Sequence, residues 1–339
     1  VCSYLLSYKR SIINANQKNY LVNFIHIGYL VILNILEIII LALTKNYYLY
    51  LGIKIVMRIL ENVGVTLLAN KLYPYLKNNN EKLDEKTKKD IFQKVKALFF
   101  HKVGGFIVLG TDNIIISKFI GIIEVGLYSN YYMIIDAIEK LFGQVIRVIT
   151  PSVGNMLVKE SAEKSFEIFK RVRFLNFWIA TFSGISLLVV MNSFITVWIG
   201  SKYLLATCVL IVLVLNYYAK SMRSCHMIFK EAAGIYYEDR YIPLLESVLN
   251  IVASLILLKY FGLAGIFMGT IISSLALYCI SYPKYVYKKL FNRSYLNYTK
   301  ETLGYLSIFL VLAVITFKIS RLIVINNAFL SLIINCLIA

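Results

Sequence analysis

Lysine and arginine gather in every second connector between long apolar stretches of this chain, and that spacing restricts it to a helical membrane bundle. A helix that crosses a bilayer needs roughly 20 predominantly apolar residues. Ten stretches reach that length, at about 21–43, 47–70, 99–120, 125–150, 173–198, 203–222, 242–260, 262–282, 302–319 and 322–339. The connectors 1–20, 71–98, 157–173, 220–241 and 284–301 hold 3, 8, 5, 4 and 5 Lys or Arg, whereas those between them hold only Lys45, Lys202, Lys259, Lys318 and Arg321. Short loops rich in positive charge stay in the cytoplasm. The reading is therefore an all-α, multi-pass integral membrane protein with its first residues on the cytoplasmic side.

Composition agrees. The 339 residues are 59% hydrophobic, against roughly 45–50% for a soluble domain. The net charge of +18 would suit nucleic acid, but its confinement to alternate loops argues for orientation in a membrane and against that partner. The five cysteines and three histidines are scattered without metal or redox spacing, so neither a disulfide framework nor a metal site is expected. No Gly-rich phosphate loop is present, and any transport is not driven by the chain's own nucleotide hydrolysis; no cofactor is expected.

Pro74, Pro151, Pro243 and Pro283 all fall at expected span ends, where proline costs least. The segment 77–98 begins as a hydrophilic linker and continues with Ile91, Val95 and Leu98 at helical spacing among lysines, the pattern of a helix lying on the inner leaflet. A second amphipathic stretch runs over 159–171. Gly265 and Gly269 form a GxxxG pair that would let two helices cross closely.

Ionisable groups at bilayer depth cost roughly 2.5–3.5 kcal/mol on insertion scales and therefore face a bundle interior or a wet cavity. Lys54 and Arg58 lie four apart on one face of the second span, beside Glu61 and Asn62. Asp136 and Lys140 are an i,i+4 pair on the fourth span, with Arg147 two turns further on. Asp112 lies near the centre of the third. One reading is a cationic cavity for an anionic substrate, since arginine binds two phosphate oxygens at once. The other is ion pairs that only fix helix packing. Glu37, alone in the first span, reads as a contact between helices.

Residues 111–158, TDNIIISKFIGIIEVGLYSNYYMIIDAIEKLFGQVIRVITPSVGNMLV, together with YKRSIINANQKNY at 8–20 and the stretch 230–274, resemble the bacterial polysaccharide flippases of the multidrug/oligosaccharidyl-lipid/polysaccharide exporter superfamily. The resemblance implies two six-helix lobes with two additional C-terminal spans. On that template the chain lacks about the first four spans, in keeping with its start at Val1. It would consist of the remainder of the N-terminal lobe (1–76), a linker (77–98), a C-terminal lobe (99–283) and the additional spans (284–339).

The implied activity is flipping of an undecaprenyl-diphosphate-linked oligosaccharide across the bacterial plasma membrane by alternating access, with no bond made or broken. Lys54, Arg58, Asp112, Asp136, Lys140 and Arg147 are the candidate substrate contacts. A polysaccharide polymerase and chain-length machinery are the partners this role implies, beside membrane lipid. The alternatives are a drug exporter or lipid II flippase of the same superfamily, and a membrane glycan polymerase or ligase. The last would need a sizeable outer loop, and the outer connectors here are a handful of residues each.

Overall fold

The computed structural model describes residues 7–16, 18–77, 83–323 and 327–339, and every regular element among them is helical. Among the described residues, seven helices are long and apolar enough to cross a membrane: Asn19–Thr44, Glu85–Phe119, Ile122–Lys159, Ala162–Trp198, Ile242–Phe261, Leu263–Leu290 and Tyr295–Leu322. The chain is thus an all-helical, membrane-embedded protein. Three of the ten expected spans fall short of that standard. Tyr47–Leu72 and Thr207–Ala232 are each 26 residues long. Lys54, Arg58 and Glu61 interrupt the first, and Lys220, Arg223, Lys230 and Glu231 the second. Ala328–Ile338, with 11 residues, is too short.

The chain divides into two compact units, Val1–Asp84 and Glu85–Ala339. In the first, α1 (Ser7–Ala15), α2 (Asn19–Thr44) and α3 (Tyr47–Leu72) pack around Ile13, Val22, Val65, Ala69 and Tyr73. Asn46 caps α3, its side-chain oxygen accepting from the Tyr48 amide at 2.9 Å. A short 3₁₀ turn, Pro74–Lys77, follows, and residues 78–82 of the expected linker lie outside the described residues.

The second unit begins with α4 (Glu85–Phe119), so the amphipathic stretch 85–98 is the start of the third span and not a separate helix. The same holds for 162–171, the opening turns of α7 (Ala162–Trp198), which Ser161 caps. In neither stretch does a Pro or Gly interrupt the helix at the polar-to-apolar boundary, and a helix started in water propagates into the apolar run. Between them stand α5 (Ile122–Arg147) and the short α6 (Thr150–Lys159), with Pro151 in its first turn. Helix α8 (Thr207–Ala232), α9 (Ile242–Phe261), α10 (Leu263–Ala276), α11 (Tyr295–Leu322) and α12 (Ala328–Ile338) complete the unit.

Two close contacts set its interior. Gly262, at φ 54°, turns α9 directly into α10. A Cβ on Gly265 would lie 2.2 Å from the Leu257 carbonyl oxygen, and one on Gly269 would lie 2.3 Å from Ser254 Oγ. The GxxxG pair is therefore a helix crossing that admits no side chain. Pro283 departs from expectation. It sits inside a helix that continues from α10 as π-helical turns over Leu277–Leu290, where the wider i→i+5 pattern takes up the lost N–H.

Candidate functional site

The second unit contains an open-sided cavity of about 310 Å³, with apolar and polar lining, between α4, α5, α8, α9 and α10. Three aromatic rings form part of its wall, Tyr128 and Tyr132 from α5 and Phe267 from α10, with the Tyr128 and Phe267 ring centres 4.7 Å apart. Into the same cavity α8 presents Asn216, Tyr217, Lys220 and Arg223. Asn216, Lys220 and Arg223 recur every three or four residues and so share one face of α8, while Asp112, Glu139, Glu246 and Thr270 bring polar groups from the other helices.

The ionic groups here are cross-linked. Arg223 donates to both carboxylate oxygens of Glu246, at 2.7 and 3.3 Å, the two-pronged geometry that guanidinium favours. It also reaches Tyr282 and Ser274. Lys220 pairs with Glu139 at 2.9 Å. Asn216 donates to the Phe267 carbonyl at 2.8 Å, which ties α8 to α10. Asp112 is buried and accepts from Thr270 at 3.2 Å, while its other oxygen has no hydrogen-bond partner. The nearby Asn250 donates to the same Thr270 hydroxyl, and its carbonyl oxygen is also unpartnered.

One end of the cavity is lined by Gly105, Met227 and Glu231. Within a turn of these residues lies a buried ion cluster. Lys230 and Asp239 are paired with side chains 1% and 0% exposed, Ser281 donates to the same carboxylate at 2.7 Å, and His101 approaches its second oxygen at 3.1 Å. Asp239 belongs to the connector between α8 and α9. Burial alone would raise its carboxyl, but the His101 contact and the Lys230 charge outweigh burial and hold it below the usual carboxylate value. Glu238 beside it is also held low; the Lys289 bond overcomes its partial burial. Close approach of Gly104 to Pro243, whose carbonyl a Cβ would meet at 2.7 Å, seats α4 against the start of α9.

The six expected contacts divide. Asp112 and Arg147 line the cavity, and among the described residues no acid pairs with Arg147, which is exposed at its edge. Asp136 and Lys140 do not line it. They pair with each other at 2.5 Å, and Lys140 is 76% exposed, because α5 turns its Tyr128–Tyr132–Ile135–Glu139 face inward and this pair outward. Lys54 and Arg58 belong to the first unit. Lys54 contacts the Tyr50 hydroxyl and Glu37, the latter at 3.4 Å, and Arg58 pairs with the buried Glu61.

The dominant cations of the second unit fall at or beyond the ends of the spans expected from hydropathy, yet all lie within helices. Lys220, Arg223 and Lys230 lie on α8, and Arg173 is buried within α7, where it bonds Glu301 at 2.6 Å and Thr302 at 2.8 Å. A signal for α8 was present: Met222, Cys225, His226 and Phe229 recur at helical spacing straight through the basic stretch. Comparison with family models, with curated proteins and with solved structures finds no match to this chain.

Proposed function

We propose that this chain is a transporter that carries a lipid-linked oligosaccharide repeat unit across the bacterial plasma membrane by alternating access, for assembly of a surface polysaccharide. The observation that carries the reading is the lining of the α4–α10 cavity. Pyranose rings present an apolar face and a hydroxyl edge, and they are held by aromatic walls opposed to fixed donors and acceptors. Tyr128, Tyr132 and Phe267, with Asn216, Lys220, Arg223 and Glu246 in the same lining, supply both. Its volume of about 310 Å³ is near the lower end of ligand sites, which suits part of a short glycan. Asp112, with one carboxylate oxygen unpartnered, is placed to take up a coupling proton or cation.

The test is flipping of a fluorescent lipid-diphosphate oligosaccharide in proteoliposomes. Asn216→Ala and the double variant Arg223→Gln with Glu246→Gln, which leaves no unpaired buried charge, should abolish it at unchanged protein level, and normal flipping in both would remove the cavity from the pathway. One charge moved through 100 mV is worth about 2.3 kcal/mol, so a cargo with about two negative charges gains roughly 4–5 kcal/mol on leaving a negative interior. Flipping that ignores an imposed potential would refute the electrical component.

A second reading has one observation in its favour. The cavity contains four acids, Asp112, Glu139, Glu231 and Glu246, against Arg147, Lys220 and Arg223. That balance suits a cationic cargo, as in a drug exporter. Efflux of a lipophilic cation from the same vesicles, competing with no glycan lipid, would establish it.

A further inference from the structure

In the first unit three basic side chains converge on a single acid. Glu61, on α3, has a side chain 0% exposed. Arg10 from α1 donates to one of its oxygens at 2.8 Å, His26 from α2 lies 3.0 Å from that oxygen, and Arg58, one turn before Glu61, donates to the other. One carboxylate balances one guanidinium, so the cluster retains a positive charge with His26 neutral and two with it protonated. Among the described ion pairs no second acid meets this cluster. Within residues 1–77 the only other carboxylate is Glu37, which Lys54 contacts at 3.4 Å.

Arg10 and Arg58 have side chains 31% and 29% exposed, and His26 40%, so all three stay open to an approaching counter-ion. The geometry is suited to one. Each guanidinium spends one nitrogen on Glu61, and the remaining N–H groups of a five-donor fork stay available. Glu61 thus acts as a clip that holds two arginines from different helices near each other.

We propose that Arg10, Arg58 and His26 form a binding site for a phosphate or diphosphate oxyanion, organised by Glu61. Two forks beside one another match tetrahedral phosphate oxygens better than one ammonium can. The inference rests on the anionic-cargo reading above and extends it to residues that reading does not contain. It assigns Arg58 a role shared with Arg10 instead of Lys54.

Direct binding by calorimetry on the purified full chain in neutral detergent tests it, with inorganic pyrophosphate and farnesyl diphosphate as probes. Saturable binding of both at similar affinity would mark a site for the free anion. Binding of farnesyl diphosphate alone would mark one for the lipid-borne group. In either case Arg10→Gln and Arg58→Gln should each weaken binding about tenfold, and Arg58→Lys should fall between wild type and Arg58→Gln. Glu61→Gln, which loosens the clip between the two arginines, should weaken it as well, with circular dichroism and gel filtration showing the wild-type helical content and size. Lys71→Gln, on the same helix outside the cluster, should leave affinity within twofold.

Absence of saturable binding by either probe overturns the proposal. So does equal weakening by Lys71→Gln, which would signify diffuse attraction only, or unchanged affinity in both arginine variants. Because the assay involves no flipping, its failure is distinguishable from failure of the transport reading. Intact flipping with unaltered diphosphate affinity in Arg10→Gln and Arg58→Gln removes only this site, whereas weakened binding without flipping in any preparation removes only the transport reading.

Discussion

Replacing Asp239 by Asn should be among the most damaging single changes in the second unit, although the side chain keeps its shape. The carboxylate is fully enclosed, receives Lys230 and Ser281, and faces His101, so the connector between α8 and α9 is fastened to α4, α8 and the π-helical segment through one group. Lys230 is itself 1% exposed and has no other acid among its described ion pairs, so the amide leaves an uncompensated buried ammonium. Breaking a buried pair on one side costs about 3–5 kcal/mol. Replacing both partners by apolar groups of similar volume is close to neutral, so Lys230→Met with Asp239→Leu should recover most of the loss. Acid should act in the same direction. A carboxylate whose value is lowered on folding contributes stability that is present above its unfolded value, near pH 4. That stability is lost as pH falls through the lower folded value. Asp239→Asn should lack this component of acid sensitivity. Reversible unfolding of the detergent-solubilised chain, followed by helical ellipticity at several pH values, measures both effects. A loss below about 1 kcal/mol, or a double variant no better than Asp239→Asn, would refute the claim that this pair is dry and isolated from other acids.

Three further outcomes follow from contacts described above. Gly269→Leu should cost at least about 1–3 kcal/mol by overpacking against Ser254 and the α9 backbone, whereas Gly304→Leu, with open space around it, should be tolerated; thermal unfolding of the two variants compares them directly. Arg173→Met should destabilise by roughly 3 kcal/mol, the lower end for a broken buried pair because Glu301 is 35% exposed, and should loosen α11 from α7 in hydrogen-exchange measurements. Asp112→Asn should preserve folding but make vesicle flipping insensitive to an imposed proton or sodium gradient, and retained gradient dependence would exclude Asp112 as the coupling group.

Helical, membrane-embedded character was legible in the sequence because it depends on runs of apolar residues, which are local. The site was legible only in part, for a physical reason. Hydropathy treats a basic residue as the end of a span, yet Arg173 and Arg223 are inside helices because each has a partner, Glu301 or Glu246, far away in sequence. Their charge predicts water, and their pairing permits burial. Asp136 and Lys140 illustrate the converse: four apart on one helical face, they lie on the face that does not line the cavity. Spacing fixes which residues share a face, but only packing against α8 and α10 fixes which face turns inward. Gly265 and Gly269 succeeded because a missing side chain is itself the packing signal.

The charge pattern sharpens the choice between a glycan-diphosphate cargo and a cationic one. The α4–α10 cavity is balanced slightly towards acid, with most of its cations committed to Glu139 and Glu246, and such a lining solvates hydroxyls well and phosphates poorly. The helices α1–α3, by contrast, contain five Lys or Arg against two acids. Substitutions in the cavity and in α1–α3 therefore test different chemical groups of the proposed cargo. The two groups of substitutions should differ accordingly: Asn216→Ala should impair flipping of a glycan lipid more than flipping of the bare lipid diphosphate, whereas Arg10→Gln should impair both and steepen neither with glycan length. A cationic cargo predicts the reverse dependence, with Glu139→Gln and Glu246→Gln decisive and Arg10→Gln silent. Efflux that follows this second pattern would exclude an anionic cargo.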